Sequence, residues 1–208
     1  METFILEGRH VRLEPLDERH VDALTAASAV DPSLYQWSAV PVGRPAVQAY
    51  VETAAAARAA GTAVPFATIR RADGEVIGST RFFDLERWPW PADHPQRQRG
   101  VPDACEIGYT WYTKSAIRTA ANTEAKLMML THAFEVWQMA RVCLHTDERN
   151  ARSRTAMERL GCRFEGILRS HRLAVDLIPR NSVRYSIVAA EWPQTKARIQ
   201  GMLAKYDG

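Results

Sequence analysis

The chain has 208 residues, of which 46% are hydrophobic and 25% are charged, and its formal net charge is +3. This length and composition predict one globular domain over residues 1–208 and exclude a disordered chain. No apolar run approaches the roughly 20 residues of a membrane helix, so we expect no membrane partner.

The first half of the chain alternates strand and helix patterns. Alternating apolar and polar residues after Gly8 are typical of a strand, and Asp73-Gly74 between two apolar runs is typical of a hairpin turn. The predicted elements are a strand over Gly8–Leu16, a helix opened by Asp17, a loop over Pro32–Pro45, a helix over Pro45–Ala60, and strands over Val64–Arg70 and Val76–Phe83.

The second half opens with a long loop rich in Trp, Pro and Arg. Apolar residues from Leu127 to Trp137 recur at helical spacing, and Gly161 ends the following helix at a C′ position. The predicted elements are the loop Trp88–Asp103, a strand over Ala104–Thr113, a helix over Thr119–Gln138, a strand over Arg141–Asp147, a helix over Asn150–Leu160, strands over Arg163–Leu173 and Val183–Ala189, and a helix over Trp192–Tyr206. Hairpins followed by strand–helix–strand units predict an α/β (α+β) fold with a mixed sheet.

One of these strands leads into a turn of small residues and then a helix, between Glu106 and Glu124. The first N–H groups of a helix lack intrahelical partners and, together with the helix dipole, attract an anion. Ala120 and Ala121 would let a diphosphate approach the backbone closely, and Arg118 adds positive charge at the mouth. Any helix after a strand offers such donors, so the turn alone does not assign a ligand.

Other motifs accompany this turn. Residues 118–123, Arg-Thr-Ala-Ala-Asn-Thr, are similar to motif A of the GCN5-related N-acetyltransferases (GNAT), with Ala121 where glycine is usual. Residues 150–169, from Asn-Ala-Arg-Ser to Leu-Arg, resemble the signature of the RimJ/RimL-like branch, the ribosomal-protein N-acetyltransferase-like enzymes. The opening strand at Gly8–Leu16 and the run Glu106-Ile-Gly-Tyr109 resemble the same branch, so the similarity extends in order through nearly the whole chain.

This resemblance implies an acetyl-CoA-dependent N-acetyltransferase with a splayed, mostly antiparallel sheet of six to seven strands flanked by helices. The acceptor would be a primary amine of a protein N-terminus, a lysine or a small molecule, attacking directly in a ternary complex. The strand ending at Thr113 would part from the strand at Arg141–Asp147. The arm of the donor would then pair with the backbone of Trp111 and Thr113.

The resemblance also implies which residues hold the donor. Its diphosphate would rest on the start of the helix, beside Arg118, on the N–H groups of Thr119, Ala120, Ala121, Asn122 and Thr123. Asn150 and Ser153, in the next helix, would contact the rest of the cosubstrate. The neighbouring arginines either supply charge to its phosphates or form a solvated helix face; they are Arg149, Arg152 and Arg154.

Acetyl transfer requires a neutral amine, and a lysine-type amine of pKa about 10.4 is mostly charged at pH 7. His145 and Glu106 are the candidate general bases, each with the alternative of a structural role in the sheet. Ser153 is the candidate proton donor to the departing thiolate, because Met157 stands where many relatives have a tyrosine. A backbone N–H on the central strand would stabilise the oxyanion.

Two other functions compete with this one. The glycine-poor turn and the missing tyrosine are consistent with a non-catalytic CoA-binding regulatory module on the same scaffold. Arginines between residues 141 and 184 suggest nucleic-acid binding, but acidic residues among them offset the charge, so we expect no nucleic-acid partner. The loop Trp88–Asp103 would form either a wall for the acceptor or a surface for the second chain of a homodimer.

Three widely spaced cysteines, Cys105, Cys143 and Cys162, form neither a disulfide framework nor a metal knuckle, so we expect buried thiols and no metal. The acidic N-terminus, without a long apolar core, does not resemble a secretory signal. These features predict a cytoplasmic protein.

Overall fold

The computed structural model describes residues 3–206. Its strands are β1 (Leu6–Glu7), β2 (Val11–Pro15), β3 (Ala63–Arg70), β4 (Val76–Glu86), β5 (Ala104–Tyr112), β6 (Arg141–Asp147), β7 (Arg163–Leu173) and β8 (Pro179–Val188). Its α-helices are α1 (Val21–Ala29), α2 (Arg44–Ala59), α3 (Ala121–Thr131), α4 (Ala151–Leu160) and α5 (Trp192–Leu203). Among residues 3–206, no helix has the length and apolar character needed to cross a bilayer.

The strands form one eight-stranded sheet in the order β1-β2-β3-β4-β5-β6-β8-β7. Neighbouring strands are antiparallel except β5 and β6, which are parallel. The predicted mixed, mostly antiparallel sheet flanked by helices is therefore confirmed. The eighth strand is β1, which has two residues and is too short to show an alternating pattern in the sequence.

Helix α3 begins two residues later than predicted, because the Thr119 side chain folds back on the turn that precedes the helix. Thr119 Oγ1 accepts the N–H of Ala121 at 3.2 Å and donates to the carbonyl of Ala116 at 2.8 Å. At the other end, the helix widens into a π turn over His132–Val136, in which the N–H of Trp137 donates to the carbonyl of His132. The uninterrupted α-helix predicted over residues 119–138 is therefore shorter at both ends.

The sheet separates two apolar clusters. Adjacent residues of a strand point to opposite faces, and Phe66 and Ala67 of β3 accordingly belong to different clusters. One cluster joins the sheet to α3 and α5, and the other joins it to α1 and α2. Trp111 and Tyr112 divide between the clusters in the same way, so the end of β5 contributes to both cores.

The parallel pair β5–β6 is the exception in this sheet. The paired residues are Ala104–Arg141, Cys105–Val142 and Glu106–Cys143. Beyond these three pairs, β5 and β6 continue without pairing to each other. Strand β6 remains fully paired with β8 up to Asp147, and β5 remains paired with β4 up to Tyr112. The sheet therefore opens between β5 and β6, as the resemblance implied.

The first turns of α3 are fixed to the N-terminal strands by Glu124. Its buried carboxylate accepts the backbone N–H groups of Arg9, His10 and Val11, each at 2.7 Å. Hydrogen bonds to a charged acceptor are stronger than those between neutral groups. Gly8 precedes this turn, where an added Cβ would lie 2.4 Å from Glu124 Cδ.

We expect Glu124→Ala to lower the free energy of unfolding by about 3 kcal/mol, because three backbone donors lose a charged acceptor. Denaturant titration measures this change, and Glu52→Ala, which removes an exposed carboxylate of α2, is the matched control. Gly8→Ala should disrupt the same contact, so the double variant should lose less than the sum of the two single losses. Strict additivity would contradict a shared contact.

Candidate active site

A cleft of about 650 Å³ occupies the opening between β5 and β6 and extends to the starts of α3 and α4. Many of the residues predicted from the sequence, although distant along the chain, line this cavity. They are Glu106, Trp111, Arg118, Thr119, Asn122, His145, Asn150 and Ser153.

Four other predicted residues lie outside the cleft lining. Thr113 is buried, and its N–H donates to the carbonyl of Ile77 at 2.8 Å, so this N–H is already satisfied within the protein. Thr123 is buried as well, and its Oγ1 accepts a hydrogen bond from Arg159 at 3.3 Å. Ala120 and Ala121 are buried at the start of α3.

The turn before α3 exposes positive charge next to helix N–H groups. Arg118 has a left-handed backbone with φ +63°, and its exposed guanidinium has no ion-pair partner among residues 3–206. Thr119 already accepts the N–H of Ala121, the first residue of α3. The next two N–H groups, those of Asn122 and Thr123, therefore remain without an intrahelical acceptor. The turn therefore offers backbone donors and a guanidinium to one anionic group.

The start of α4 forms the facing wall. Asn150 is buried and caps this helix, since its Oδ1 accepts the N–H of Ser153 at 3.1 Å. Within the described residues, neither the side-chain NH₂ of Asn150 nor the hydroxyl of Ser153 makes a hydrogen bond. Both groups are thus available to a ligand in the cleft.

Glu106 and His145 meet where β5 and β6 part. His145 Nδ1 lies 2.9 Å from Glu106 Oε2, and the exposed fractions of the two side chains are 7% and 6%. Despite this contact, neither ring nitrogen of His145 makes a hydrogen bond within residues 3–206. Buried polar atoms are normally hydrogen-bonded, so the imidazole has unused capacity to exchange a proton with a ligand.

Arginines from the β7–β8 hairpin surround this pair. Arg172 donates to Glu106 at 3.1 Å and to Asp84 at 3.0 Å. Arg180, which is opposite Arg172 in the strand register, also lines the cleft. Burial, and then the charge of Arg172, lower the pKa of Arg180. The hairpin therefore brings two positive charges next to the carboxylates of Glu106 and Asp84.

A β-bulge lies beside the cleft in the central strand. Ser79 pairs with Trp111 and Arg81 with Gly108, so Tyr109 and Thr110 together oppose one residue of β4. Tyr109 has φ +50°, a strained conformation for a residue with a bulky side chain. The guanidinium of the buried Arg81 lies 4.0 Å from the centroid of the Tyr109 ring and holds it in place.

Lys126 is a cleft residue that the sequence reading missed. It sits on the buried side of α3, and its Nζ donates to Thr110 Oγ1 at 2.8 Å and to Thr80 Oγ1 at 3.4 Å. Removal from water lowers the pKa of this amine to about 7. The signal in the sequence was a lysine at a position where helical periodicity predicts a buried residue.

The three arginines at or just before the start of α4 differ in their surroundings. Arg149 is paired with Asp147 and Asp176, each at 2.7 Å, and stacks on Trp37 at 4.2 Å, which indicates a structural role. Arg154 donates to the carbonyl of Glu148 at 3.3 Å. Arg152 lines the cleft, so of these three it is the one placed to meet a ligand.

The loop over residues 88–103 lies away from the cleft, and none of its described residues contributes to the lining. Asp103 holds the loop together by accepting the N–H of Trp88 at 2.8 Å and the indole N–H of Trp90 at 2.9 Å. Arg99 attaches it to the segment between the π turn and β6 by donating to the carbonyl of Gln138 at 3.0 Å. The position of this loop therefore gives no support to an acceptor wall.

The three cysteines are buried and free, as predicted. Burial raises the pKa of the Cys105 thiol and raises that of Cys162 to about 12, so both are neutral and poorly nucleophilic. Across residues 3–206, no group of three or more His, Cys, Asp or Glu side chains is arranged to hold a metal ion.

The chain matches the model of the acetyltransferase (GNAT) domain over residues 10–163. It therefore belongs to the GNAT acetyltransferase family. A search of curated proteins finds no match.

Solved structures share the fold along nearly the entire chain. A GCN5-related N-acetyltransferase from Brucella melitensis is 29% identical, with a TM-score of 0.81 over 97% of this chain and 86% of that chain. A T. thermophilus protein assigned as an acetyltransferase is 35% identical, with a TM-score of 0.77 over 98% of this chain and 100% of that chain. RimJ from Mycobacterium smegmatis, solved in complex with CoA-disulfide, is 26% identical, with a TM-score of 0.73 over 92% of this chain and 88% of that chain.

The charges around Glu106 can be tested through His171, whose ring centroid lies 5.4 Å from that of His145. Burial, and then the positive charge of Arg172, lower the pKa of His171. Arg172→Gln should therefore raise this pKa, because it removes a cation that disfavours the imidazolium. An NMR titration of the histidine ring protons measures the shift, and Arg169→Gln, an exposed arginine of the same strand, should leave it unchanged.

Proposed function

We propose that the protein is an acetyl-CoA-dependent N-acetyltransferase, built as one domain, that transfers an acetyl group to a primary amine. The observation that carries the proposal is the parting of β5 and β6 after Glu106 and Cys143, beside a bulge and a buried, unsatisfied imidazole. Membership in the GNAT family supports acetyl transfer as the reaction class. The acceptor is a protein N-terminus, a lysine or a small-molecule amine.

The residues of the cleft fit acetyl-CoA. A diphosphate would be held by the N–H groups at the start of α3 and by Arg118, whose guanidinium lacks an internal partner. Unpaired backbone of β5 near Trp111 is accessible for hydrogen bonds to an extended amide-containing arm, as at any open strand edge. Thr113 contributes less than expected, because its N–H is taken by Ile77.

When bound, acetyl-CoA supplies the acetyl group as a thioester. His145 is placed to accept the proton that the acceptor amine must lose, and Glu106 at 2.9 Å would stabilise the resulting imidazolium. Arg172 also pairs with Glu106, at 3.1 Å. In this arrangement His145 is the general base and Glu106 is its partner, rather than a second, competing base.

The bulge at Tyr109 and Thr110 is placed to stabilise the oxyanion. A bulged residue leaves the ladder locally unpaired, and its backbone N–H can meet a developing negative charge in a site shielded from water. The Ser153 hydroxyl, which has no internal partner, is placed to protonate the departing thiolate. Met157 lines the same cleft at the position where a tyrosine stands in many relatives.

Three finer assignments are part of the proposal. Similarity to RimJ, together with the motifs at residues 118–123 and 150–169, supports the RimJ/RimL-like branch. A cytoplasmic location is supported by the three free, buried thiols. A homodimer remains a prediction, and the loop 88–103 is its candidate surface because Trp88 is 37% exposed outside the cleft.

Arg118→Ala should weaken acetyl-CoA binding about tenfold, because the loss of one charged contact to a phosphate is worth about 1.4 kcal/mol. Isothermal titration calorimetry measures the dissociation constant, with Arg169→Ala as a matched exposed arginine outside the cleft. Desulfo-CoA, which keeps the phosphates, should show the same loss. A wild-type chain that gives no binding heat at high micromolar acetyl-CoA would refute the enzyme assignment itself.

His145→Gln should lower kcat at least about 100-fold, the usual contribution of a general base. Thiol release with a panel of amines gives the rates, and His94→Gln, in the loop outside the cleft, is the control. Glu106→Gln should show a smaller loss, since it removes a stabilising charge rather than the base. If the wild-type chain binds acetyl-CoA and releases no thiol with any amine, the non-catalytic CoA-binding module becomes the better description.

A further inference from the structure

Lys126 differs from the other lysines of the chain in its surroundings. The chain has four lysines, and of these Lys114 and Lys196 form ion pairs at the surface while Lys205 is exposed. The Lys126 residue is 5% exposed and lines the cleft. Within residues 3–206, no carboxylate lies within salt-bridge distance of its Nζ.

The hydrogen bonds of Lys126 suit a neutral amine. Its Nζ donates to the hydroxyls of Thr110 and Thr80, which are themselves 2.8 Å apart. A neutral amine has two N–H groups and one lone pair, so these two contacts use both hydrogens and leave the lone pair unshared. An ammonium would have a third N–H without a protein acceptor.

The electrostatic surroundings agree with this geometry. Burial, the principal cause, lowers the pKa of Lys126 to about 7, so the neutral amine is well populated near neutral pH. The titratable group that acts on Lys126 is the thiol of Cys162, which lies between α4 and β7. This thiol is neutral because burial raises its pKa to about 12. An exposed lysine of pKa about 10.4 is neutral in less than about one part per thousand at this pH.

The amine also lies next to the expected position of the reacting carbonyl. Thr110, its 2.8 Å partner, is one of the two bulged residues of β5, and the backbone there is the oxyanion site of the proposed function. Lys126 thus combines burial, an unshared lone pair and contact with the bulge that the proposed function assigns to the oxyanion.

We propose that Lys126 is a self-acetylation site, at which the chain modifies its own donor cleft when no acceptor is bound; this inference rests on the proposed function. The Nζ lone pair attacks the thioester carbonyl of acetyl-CoA, an N–C bond forms and the C–S bond breaks. The proton lost from Nζ leaves with the thiolate as CoA thiol. The product is Nε-acetyl-lysine, which is uncharged and keeps one N–H for Thr110.

Incubation of the full chain with acetyl-CoA, without an acceptor, tests this inference by mass spectrometry. Intact mass should increase by one acetyl group, and peptide mapping should locate it at Lys126 at least about tenfold faster than at Lys114, Lys196 or Lys205. The rate should saturate with acetyl-CoA at the dissociation constant measured by calorimetry, and it should level off above pH 7. Lys126→Met, which fills the same buried volume, should bind acetyl-CoA and gain no acetyl group, whereas Lys196→Met should gain it normally.

Each other outcome overturns the inference in a distinguishable way. Binding of acetyl-CoA with an unmodified Lys126 between pH 6 and pH 9 would refute self-acetylation and leave the acetyltransferase proposal standing. Equal modification of all four lysines, rising linearly with acetyl-CoA, would show solution chemistry rather than a site. Absence of acetyl-CoA binding would remove the proposed function and this inference with it.

Discussion

The short parallel contact between β5 and β6 is the constraint on which the rest of the molecule depends. Three registered pairs join the two halves of the sheet, and beyond Glu106 and Cys143 each strand is held by its antiparallel neighbour on the other side. Because β4 and β8 satisfy the outer edges, the inner edges can remain open without unfolding the strands. The opening places the ends of β5 and β6, and the helices that follow them, around one cavity.

The cleft has two chemically different ends. At the start of α3, the available groups are backbone N–H groups and an unpaired guanidinium, which suit a diphosphate. Near the β7–β8 hairpin, the buried side chains of Glu106 and His145 lie together with the half-buried Arg172, a set of titratable groups suited to proton transfer. The bulge at Tyr109 lies along β5 between these two ends of the cleft.

Much of this arrangement could be predicted from the sequence. Period-two patterns and turn residues identified seven strands, and the turn at residues 118–123 indicated an anion site. The two-residue β1 carries too little pattern to be seen, and the π turn after Thr131 depends on tertiary packing rather than on local propensity. The remaining features depend on tertiary hydrogen bonds, which the local sequence does not reveal. The N–H of Thr113 donates to the carbonyl of Ile77, and Glu124 and Lys126 bind partners far away in the sequence.

The carboxylate of Glu124 makes the start of α3, at one end of the cleft, more rigid. It accepts hydrogen bonds from three consecutive backbone N–H groups, so the start of β2 and the turn before it hold the first turns of α3 in position. A helix start that is already immobilised loses little conformational entropy when an anion docks on it, and more of the contact energy then appears as affinity. Arg9, His10 and Val11 therefore contribute to the rigidity of this helix start, although none of them lines the cavity.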